Sequence, residues 1–350
     1  MSSSSSARPN MQQIADAAGV SKSSVSLALR NDPRLAESTR AHIQKVAKDM
    51  GYCRNPIVDN LMSQLRSGSR SGFLANIALL NCAPYEDLNS NHTFQRLKKG
   101  VCDHSEKLGY GVEEFWLQRP DVRPQRIKQI LDARGIKGLI LVGILKVEDV
   151  YGVNFNDLLS TFATSVIGTT LLDKSISCAT NDQYLTARRA THKVIEMGYK
   201  RPLLLMSKEV DTLLEEKFSS GYYSILRNIP TKDQLEAIDL DFSKIDSIVS
   251  RIRDIKPDVI ITNNDDLYKL FKNASFKIPQ ELGLVHLDWH PKIEKWAGMR
   301  QNHRVVGRAG VDIVVGQLNR NEYGTQEHPL IVEVESTWVD GPSINQIWIS

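Results

Sequence analysis

The sequence predicts an α/β protein with an N-terminal helix-turn-helix headpiece and two Rossmann-like subdomains. Three short amphipathic helical segments precede residue 51, and apolar strand-like runs alternate with helical segments from residue 73 onward. Strands that alternate with helices favour parallel sheets covered by helices. The second region has about 270 residues, more than one sheet usually needs, so we expect two subdomains there.

Positive charge is concentrated near the N-terminus. Residues 1–70 contain ten Lys or Arg residues against five Asp or Glu residues, whereas the whole chain carries a net charge of only +3. The remainder is therefore slightly acidic, with a net charge of −2. A basic segment on a near-neutral body indicates that a polyanion binds the segment alone.

The composition argues against a secreted or membrane-embedded protein. Cys53, Cys82, Cys102 and Cys178 are scattered without a CxxC or Cys/His metal spacing, which fits a reducing cytoplasm. The stretch MSSSSSARPN has no apolar h-region, so we expect residues 1–10 to be a disordered tail and not a signal peptide. No window reaches about 18 consecutive apolar residues, and we therefore predict no membrane span.

Residues 11–50 predict three helices, of which the first two are joined by a short turn. The first helix has one apolar face, formed by Met11, Ile14, Ala15 and Ala18. Gly19 ends it, and Ser21 stands at the N-cap position of the second helix. This is helix-turn-helix spacing, and in such a module the second helix lies in the DNA major groove. On spacing alone, a generic three-helix bundle remains the alternative.

The second predicted helix has a narrow apolar stripe made by Val25 and Leu29, so that Leu27 should point partly outward. Asn31, Asp32 and Pro33 break this helix. We expect Ser38 to cap the third helix. Its apolar face consists of Ile43, Val46, Ala47 and Met50, and Gly51 closes it.

Residues 54–72 predict a hinge helix followed by a linker. Asn55 is an N-cap residue and Pro56 occupies the first helical position, where proline is favoured. The helix is short and precedes the flexible sequence RSGSRSG, so it needs a partner to stay ordered. A plain linker helix packed on the body is the alternative.

The segment MQQIADAAGVSKSSVSLALRNDPRLAESTRAHIQKVAKDMGY resembles the headpiece of the LacI/GalR family of bacterial transcription regulators. It aligns without gaps to the pattern hydrophobic–Ala–x–x–Ala–Gly–Val–Ser–x–x–Thr/Ser–Val–Ser, followed later by Thr–Arg and Gly–Tyr. The resemblance implies that the headpiece reads double-stranded operator DNA. It also implies that the hinge helix folds on DNA and wedges a leucine into the minor groove.

The resemblance also implies roles for individual side chains. The base-reading positions fall on Lys22, Ser23 and Leu27. The positions that contact the DNA backbone fall on Ser21, Ser24, Ser26, Arg30, Arg34 and Thr39. The minor-groove hinge positions fall on Asn55 and Leu61, with Leu65 as a rival wedge. Leu27 departs from the Arg or Ala of many relatives, and it could make only apolar contact with a base, for instance with a thymine methyl.

From residue 73 onward, strand-like apolar runs alternate with helical segments. We predict strands at 73–81, 112–117, 138–143, 165–170, 202–207, 258–265 and 282–289. Helices are predicted at 94–107, 124–134, 156–162, 182–197, 217–227, from after residue 265 through 271, and at 305–318.

Ligands bind outside the carboxyl ends of the strands in such sheets. The candidate effector-binding residues at those places are Asn81, Tyr85, Asp182, Asn264, Asp265, Asp288 and Trp289, and Asn181 is a further polar residue there. Carboxylates and amides around an aromatic ring suit a polyhydroxylated ligand. Asp182 and Asp265 could instead cap the helices that follow them.

The family resemblance extends to the body less tightly. It implies a type I periplasmic-binding-protein architecture that holds a small effector in the cleft between two subdomains. The family's ligand-site and motif positions match Asp182, Asn264, Asp265, Asp288, Gln301 and Gly307. Phe218 departs from the pattern because it stands where the family carries a ligand-binding arginine. The effector could therefore differ from a typical pyranose.

Motifs of common enzymes are missing: the sequence has no P-loop, GxSxG, HExxH or GxGxxG. His286 and His290 flank Asp288, which is a weak metal signal. We therefore predict that the protein is not an enzyme and has neither a cofactor nor a metal.

The observations together predict a cytoplasmic homodimer, associated with the nucleoid when bound to DNA, that represses a catabolic operon under the control of a carbohydrate effector. The predicted domains are the tail (1–10), the headpiece (11–53), the hinge and linker (54–72) and the effector-binding and dimerisation domain (73–350). The alternatives are a non-exported solute-binding protein without a DNA role and a sugar-modifying enzyme with an accessory DNA module.

Overall fold

A computed structural model describes residues 10–29, 32–50, 52, 74–83, 86–87, 91–119, 124–143, 159–168 and 176–346. The chain divides into two compact units between Ser71 and Gly72. Several predictions lie outside the described residues: the hinge helix with Asn55, Leu61 and Leu65, and the site residues Arg30 and Tyr85. Among the described residues, no helix is long and apolar enough to cross a membrane.

The first unit contains three helices, α1 (Met11–Ala18), α2 (Lys22–Leu29) and α3 (Glu37–Asp49). Their core is made by the buried side chains of Ile14, Ala15, Val25, Ala28, Ile43 and Ala47. Burial of these apolar side chains is what orders three helices that are each too short to be stable in isolation. The predicted three-helix headpiece is confirmed.

Helix ends in the headpiece follow local capping rules. The Asn10 side chain accepts hydrogen bonds from the amides of Gln12 and Gln13, and the Gln13 side chain accepts from the Asn10 amide, so Asn10 is the N-cap of α1. Gly19 ends α1 in the left-handed region, with φ of 64°. The predicted cap at Ser38 is wrong: α3 begins at Glu37, and the N-cap position is Ala36, which has no side-chain acceptor.

The second unit contains two six-stranded sheets. Sheet 1 has the order β11-β5-β4-β3-β1-β2, and all its strand pairs are parallel. Its strands are β1 (Ala75–Asn81), β2 (Tyr110–Trp116), β3 (Gly138–Val142), β4 (Ala163–Ile167), β5 (Cys178–Asn181) and β11 (Ile331–Val334).

Sheet 2 has the order β12-β10-β9-β8-β6-β7, and only β12 is antiparallel to its neighbour. Its strands are β6 (Pro202–Met206), β7 (Ile238–Asp239), β8 (Val259–Thr262), β9 (Gly283–His286), β10 (Ala297–Arg300) and β12 (Thr337–Val339).

Helices cover both sheets and complete two lobes. Lobe 1 is sheet 1 with α4 (His92–Lys107), α5 (Pro124–Ala133) and α11 (His303–Arg320). Lobe 2 is sheet 2 with α6 (Gln183–Glu196), α7 (Lys208–Leu213), α8 (Lys217–Leu226), α9 (Ile245–Ile255) and α10 (Leu267–Asn273). The predicted α/β class with two Rossmann-like subdomains is confirmed.

The chain crosses between the lobes three times, after β5, after β10 and between β11 and β12. The crossing segments bond to one another: Asn181 donates to the Gln301 carbonyl, and Asn302 donates to the Glu335 carbonyl at 2.9 Å. These three hydrogen-bonded crossing segments therefore connect the two lobes.

Two glycines allow α4 and α11 to pack with their backbones in direct contact. A β-carbon at Gly100 would overlap the backbone of Arg304, and one at Gly307 would overlap the backbone of Leu97. Gly307 is the glycine that the family motif singled out. The structure gives it a packing role, because only glycine lets the two helices approach so closely.

Candidate functional site

The side chains for which the sequence predicts base reading, Lys22, Ser23 and Leu27, belong to α2. Lys22 and Ser23 are exposed, whereas Val25 and Ala28 are fully buried. Leu27 is only partly buried and is not part of the headpiece core, which agrees with the expectation that it points partly outward. The narrow apolar stripe of α2 consists of the buried Val25 and Ala28. Leu29, which was predicted to belong to it, is only partly buried and packs against this core.

Ser21 caps α2 as predicted. Its hydroxyl accepts from the Ser24 amide at 3.1 Å and lies 2.9 Å from the Ser24 hydroxyl. Both hydroxyls therefore stand together at the N-terminus of α2, where the helix dipole favours an anion. Ser26, one turn further along, is partly buried.

Arg34 and Thr39 flank the start of α3. The Arg34 guanidinium is 74% exposed and is held by Asp32 through two contacts, at 2.7 and 2.9 Å. This hydrogen-bonded carboxylate raises the pKa of Arg34. Thr39 is partly buried in the first turn of α3, a turn that has no side-chain cap.

A cavity of about 350 Å³ lies in the cleft between the two lobes of the body. Its polar lining consists of Asn91, His92, Thr93, Asn181, Gln183, Asn263, Asp288, Gln301 and His303. Its apolar lining includes Phe94, Leu97, Val166, Ile167, Val210, Leu213, Leu214 and Phe218. The cavity is therefore lined by both polar and apolar side chains, and none of the described residues that line it is Lys or Arg.

Asp288, in the loop after β9 of lobe 2, is the only carboxylate among the described lining residues. His303 Nε2 lies 2.9 Å from both of its oxygens. Thr93 donates to Oδ2 at 3.2 Å, and His92 Nε2 lies 3.4 Å from the same oxygen. Burial opposes ionisation of Asp288, but His303 and His92 outweigh it and hold the pKa of this carboxyl well below its usual range.

Lobe 2 contains a second carboxylate, that of Asp265, which contacts two histidines. His290 Nε2 and His286 Nε2 each lie 3.1 Å from one of its oxygens. Burial opposes ionisation here as well, yet the hydrogen bond and charge of His286, with a smaller effect of His290, lower the pKa of Asp265. The rings of His290 and His92 stack across the cleft with their centroids 3.9 Å apart.

Of the six predicted effector residues that the structure describes, only Asp288 lines the cavity. Asp182 caps α6, since its side chain accepts from the Leu185 amide at 2.7 Å. Asn81 bonds within its own loop, accepting from the Ala83 amide and donating to the Glu86 carbonyl. Asn264 accepts from the Asp266 amide at 3.0 Å. Polar side chains at strand ends satisfy the amides of the turn that follows, and this explains why they face the loop and not the cleft.

Two further expectations about these residues need correction. Asp265 does not cap α10; it pairs with the two histidines instead. The Trp289 ring belongs to the core of lobe 2, where its indole N–H donates to the Trp296 carbonyl at 3.0 Å and Arg300 lies 4.7 Å above the ring. It is therefore not a surface on which a sugar could stack.

Sequence reasoning missed several cavity residues, of which Gln183 is the most informative. Its side chain is 4% exposed, and Oε1 has no hydrogen-bond partner among the described residues. Gln183 directly follows the predicted Asp182, and Asn263 directly precedes the predicted Asn264. At these two turns, the side chain that lines the cavity is therefore the immediate neighbour of the predicted one.

No group of three or more His, Cys, Asp or Glu side chains within the described ranges is arranged to hold a metal ion. His286 and His290, the weak metal signal of the sequence, both face Asp265.

Two family models match the chain. "Bacterial regulatory proteins, lacI family" matches residues 10–55, and "Periplasmic binding proteins and sugar binding domain of LacI family" matches residues 82–283. Among curated proteins, the HTH-type transcriptional regulator GntR of Escherichia coli is 24% identical over 81% of this chain and 82% of its own length. The regulator MalR of Streptococcus pneumoniae is 22% identical over 90% of this chain and 94% of its own length.

Solved structures share the fold. A complex of the transcriptional regulator CelR with cellobiose superposes with a TM-score of 0.57 at 16% identity, covering 96% of this chain and 100% of that one. The lac repressor dimer bound to operator and an anti-inducer gives the same TM-score and identity, covering 96% and 99%.

Proposed function

We propose that this chain, which belongs to the LacI family of bacterial regulatory proteins, is a DNA-binding transcription regulator. It represses a catabolic operon under the control of a small effector. The observation that carries the proposal is the presence, in one chain, of a helix-turn-helix unit with a polar outward face and a two-lobed body with a cavity of about 350 Å³. We infer no catalytic activity and a cytoplasmic location, where operator DNA is found.

For DNA recognition, we propose that α2 enters the major groove with Lys22, Ser23 and Leu27 against the base edges. The exposure of Lys22 and Ser23 and the outward direction of Leu27 support these roles. The proposed contacts to the DNA backbone are made by Ser21, Ser24, Ser26, Arg30, Arg34 and Thr39. Asn55 and Leu61 are proposed as the minor-groove hinge.

For the effector, we propose a hydroxylated, uncharged molecule such as a sugar or a sugar derivative. The cavity volume falls in the usual range for small-molecule sites. The lining combines amide and imidazole groups with apolar side chains, and this mixture suits a molecule that has both hydroxyl groups and C–H surfaces. Asp288, Gln183 and Asn263 are the proposed contacts, while Asn81, Asp182, Asn264, Asp265 and Trp289 shape the surrounding loops.

We propose that two chains form a homodimer whose headpieces bind the two half-sites of a pseudopalindrome. Effector binding in the cleft moves the lobes about the three crossing segments, and residues 54–72 pass this change to the headpieces. DNA affinity and effector affinity are then thermodynamically coupled.

Selection of bound fragments from genomic DNA tests the proposal. The full-length protein should enrich a pseudopalindromic sequence, and the double variant Lys22→Ala, Leu61→Ala should not. Equal enrichment by both proteins, or no enrichment by either, would contradict the DNA-binding role and favour a solute-binding protein.

A further inference from the structure

A second cavity, of about 430 Å³, lies on lobe 1 between α4 and the start of α11. Its described lining residues are Gln95, Arg96, Lys98, Lys99, Cys102 and Arg304, none of which lines the effector cavity. Four of these six side chains are cationic, and none of the six is a carboxylate. Positive charge is therefore gathered around a concave surface of the body, away from the basic headpiece.

The carboxylates that contact these cations do not balance them. Lys98 pairs with Glu114 of β2 at 2.8 Å. Asp103 is shared by two cations, since it lies 3.4 Å from Lys99 and 3.5 Å from Arg304. Two carboxylates against four cations leave a local excess of two positive charges. Exposed ion pairs of this kind are also weak, so an incoming anion can compete with them.

Arg96 is the least supported of the four cations. It is partly buried, and it makes no hydrogen bond or ion pair with any residue in the described part of the chain. Burial lowers the pKa of Arg96; Asp288 offsets this only in part, and the nearby Arg300 and Arg304 lower it further. An anion in the cavity would relieve both the desolvation of this guanidinium and the repulsion from its neighbours.

The chemistry of the cavity suits a phosphate group. The guanidinium forks of Arg96 and Arg304 match pairs of phosphate oxygens, and the ammonium groups of Lys98 and Lys99 act as point charges. The excess of two positive charges is close to the charge of a phosphate monoester near neutral pH. The cavity volume lies in the range of small-molecule sites, so there is room for an organic group beside the phosphate.

We propose that this lobe 1 cavity binds a small phosphorylated molecule, with Arg96 as the central contact. The site involves neither the headpiece nor the effector cavity, so it goes beyond the proposed function and does not rest on it. Such a ligand would give the chain a second small-molecule input besides the effector.

Alkylation of Cys102 in the full-length, DNA-free protein tests the site. Cys102 is partly buried in the wall of the cavity, so a bound molecule should shield its thiol from iodoacetamide. We expect glycerol 3-phosphate, at several times its Kd, to slow the modification by about threefold or more, as measured by peptide mass spectrometry. Cys178, a partly buried thiol of β5, is the internal control, and its rate should not change.

Two matched additions separate phosphate binding from general effects. Glycerol, with sodium chloride added to the same ionic strength, should leave both thiols unprotected. Inorganic phosphate should protect Cys102 less well than glycerol 3-phosphate, because it fills less of the cavity. Stronger protection by inorganic phosphate would assign the site to the bare ion and overturn the proposal.

Three variants locate the binding through the concentration that gives half-protection of Cys102. Arg96→Gln should raise this concentration by about tenfold, because it removes a charge-assisted hydrogen bond. Lys99→Gln should raise it by about threefold, and it keeps the test valid if Arg96→Gln destabilises the body, since Lys99 is exposed. Lys22→Ala is the matched control: it removes one positive charge from the headpiece and should leave the half-protection concentration unchanged.

No protection of Cys102 at millimolar glycerol 3-phosphate would overturn the site. Equal slowing at Cys102 and Cys178 would also overturn it, as would equal half-protection concentrations in the wild type, Arg96→Gln and Lys99→Gln. The readout needs neither operator DNA nor effector, so the site can fail while operator selection succeeds, and the reverse.

Discussion

Leu27 shows at the residue scale how the headpiece could set its DNA preference. It occupies the proposed third base-reading position, lies outside the headpiece core and offers no hydrogen-bonding group. Recognition at this position must therefore come from apolar contact, for which the thymine methyl is the natural partner in the major groove.

A single methyl group on DNA tests this contact. Replacing the contacted thymine of the selected operator by deoxyuridine removes about one methyl group, worth roughly 0.8 kcal/mol or about fourfold in affinity. The wild-type protein should lose this affinity, and Leu27→Ala should be insensitive to the same replacement. An equal loss in both proteins, measured by fluorescence anisotropy titration, would remove Leu27 from the interface.

Two buried glutamines differ in a way that separates a binding role from a structural role. Gln317 is fully used, because its Oε1 accepts from the Thr164 amide at 2.6 Å and its Nε2 donates to the Thr164 carbonyl at 3.1 Å. Gln183 faces the cavity, and its Oε1 has no partner within the described part of the chain. The first contributes to the fold, and the second has an unpartnered acceptor that we propose for the effector.

We therefore expect Gln317→Leu to lower the free energy of unfolding by about 2 kcal/mol or more, since it leaves buried backbone groups of Thr164 unsatisfied. Gln183→Leu should cost much less, and it should weaken the thermal shift given by whichever sugar stabilises the wild type. Urea unfolding of both variants checks the first expectation. Similar losses in the two variants would contradict the difference in roles.

His290 gives the body a pH dependence with a definite sign. Its pKa is lowered by burial and by the nearby His92, which Asp265 offsets only in part. Because the folded protein prefers neutral His290, its contribution to stability is present above the ordinary pKa of 6.5 and is lost as the pH falls through the lower folded value.

The unfolding free energy of the wild type should therefore fall more than that of His290→Gln between about pH 8 and about pH 5.5. The difference between the two stability curves isolates the effect of His290 from those of His92, His286 and His303. Parallel curves would show that His290 titrates alike in the folded and unfolded chain.

At the scale of elements, the packing of α4 on α11 depends on Gly307. Gly307→Ala would place a β-carbon against the backbone of Leu97, whereas Gly316→Ala on the same helix would meet only the mobile guanidinium of Arg320. We expect Gly307→Ala to destabilise the body by about 1–3 kcal/mol through overpacking. Gly316→Ala should stabilise it by about 0.5–1 kcal/mol through helix propensity. Equal effects in thermal unfolding would contradict this packing role.

The sequence predicted most of the long elements and missed several of the short ones. The helices α4, α6, α8 and α11 were found because each has a clear period of 3.6 and recognisable ends. The strands β5, β10, β11 and β12 have only three or four residues, every residue of β11 and β12 is at least partly exposed, and the pairing of these strands is decided by distant partners. Helix α9 was missed although it buries Ile248 and Ile252 on one face.

Several loops that carry the predicted effector residues also line the cavity, but Asp288 is the only predicted side chain among the described lining residues. Whether Asp182 or Gln183 faces the cavity depends on which residue caps α6, and a cap can be placed from sequence only to within one or two positions. Asp288 was found because it lies at the carboxyl end of a predicted strand. Its partners His92 and His303 lie far away in the chain, and no local pattern brings them together.

At the scale of the whole molecule, the chain combines a basic DNA-binding unit with a two-lobed body that we propose binds the effector. The sequence segregates charge between residues 1–70 and the remainder, and the structure divides the chain at almost the same place. A polyanion should therefore bind through the headpiece and give strong salt dependence, while the cavity in the body sets the effector response.

Operator affinity measured against salt concentration tests the central claim most directly. For the full-length protein on its selected operator, log K should fall linearly and steeply with log salt, and affinity should exceed that for a scrambled duplex by about a thousandfold or more. The double variant Lys22→Ala, Leu61→Ala should bind both duplexes alike. Equal affinity of the wild type for operator and scrambled DNA at every salt concentration would contradict the account.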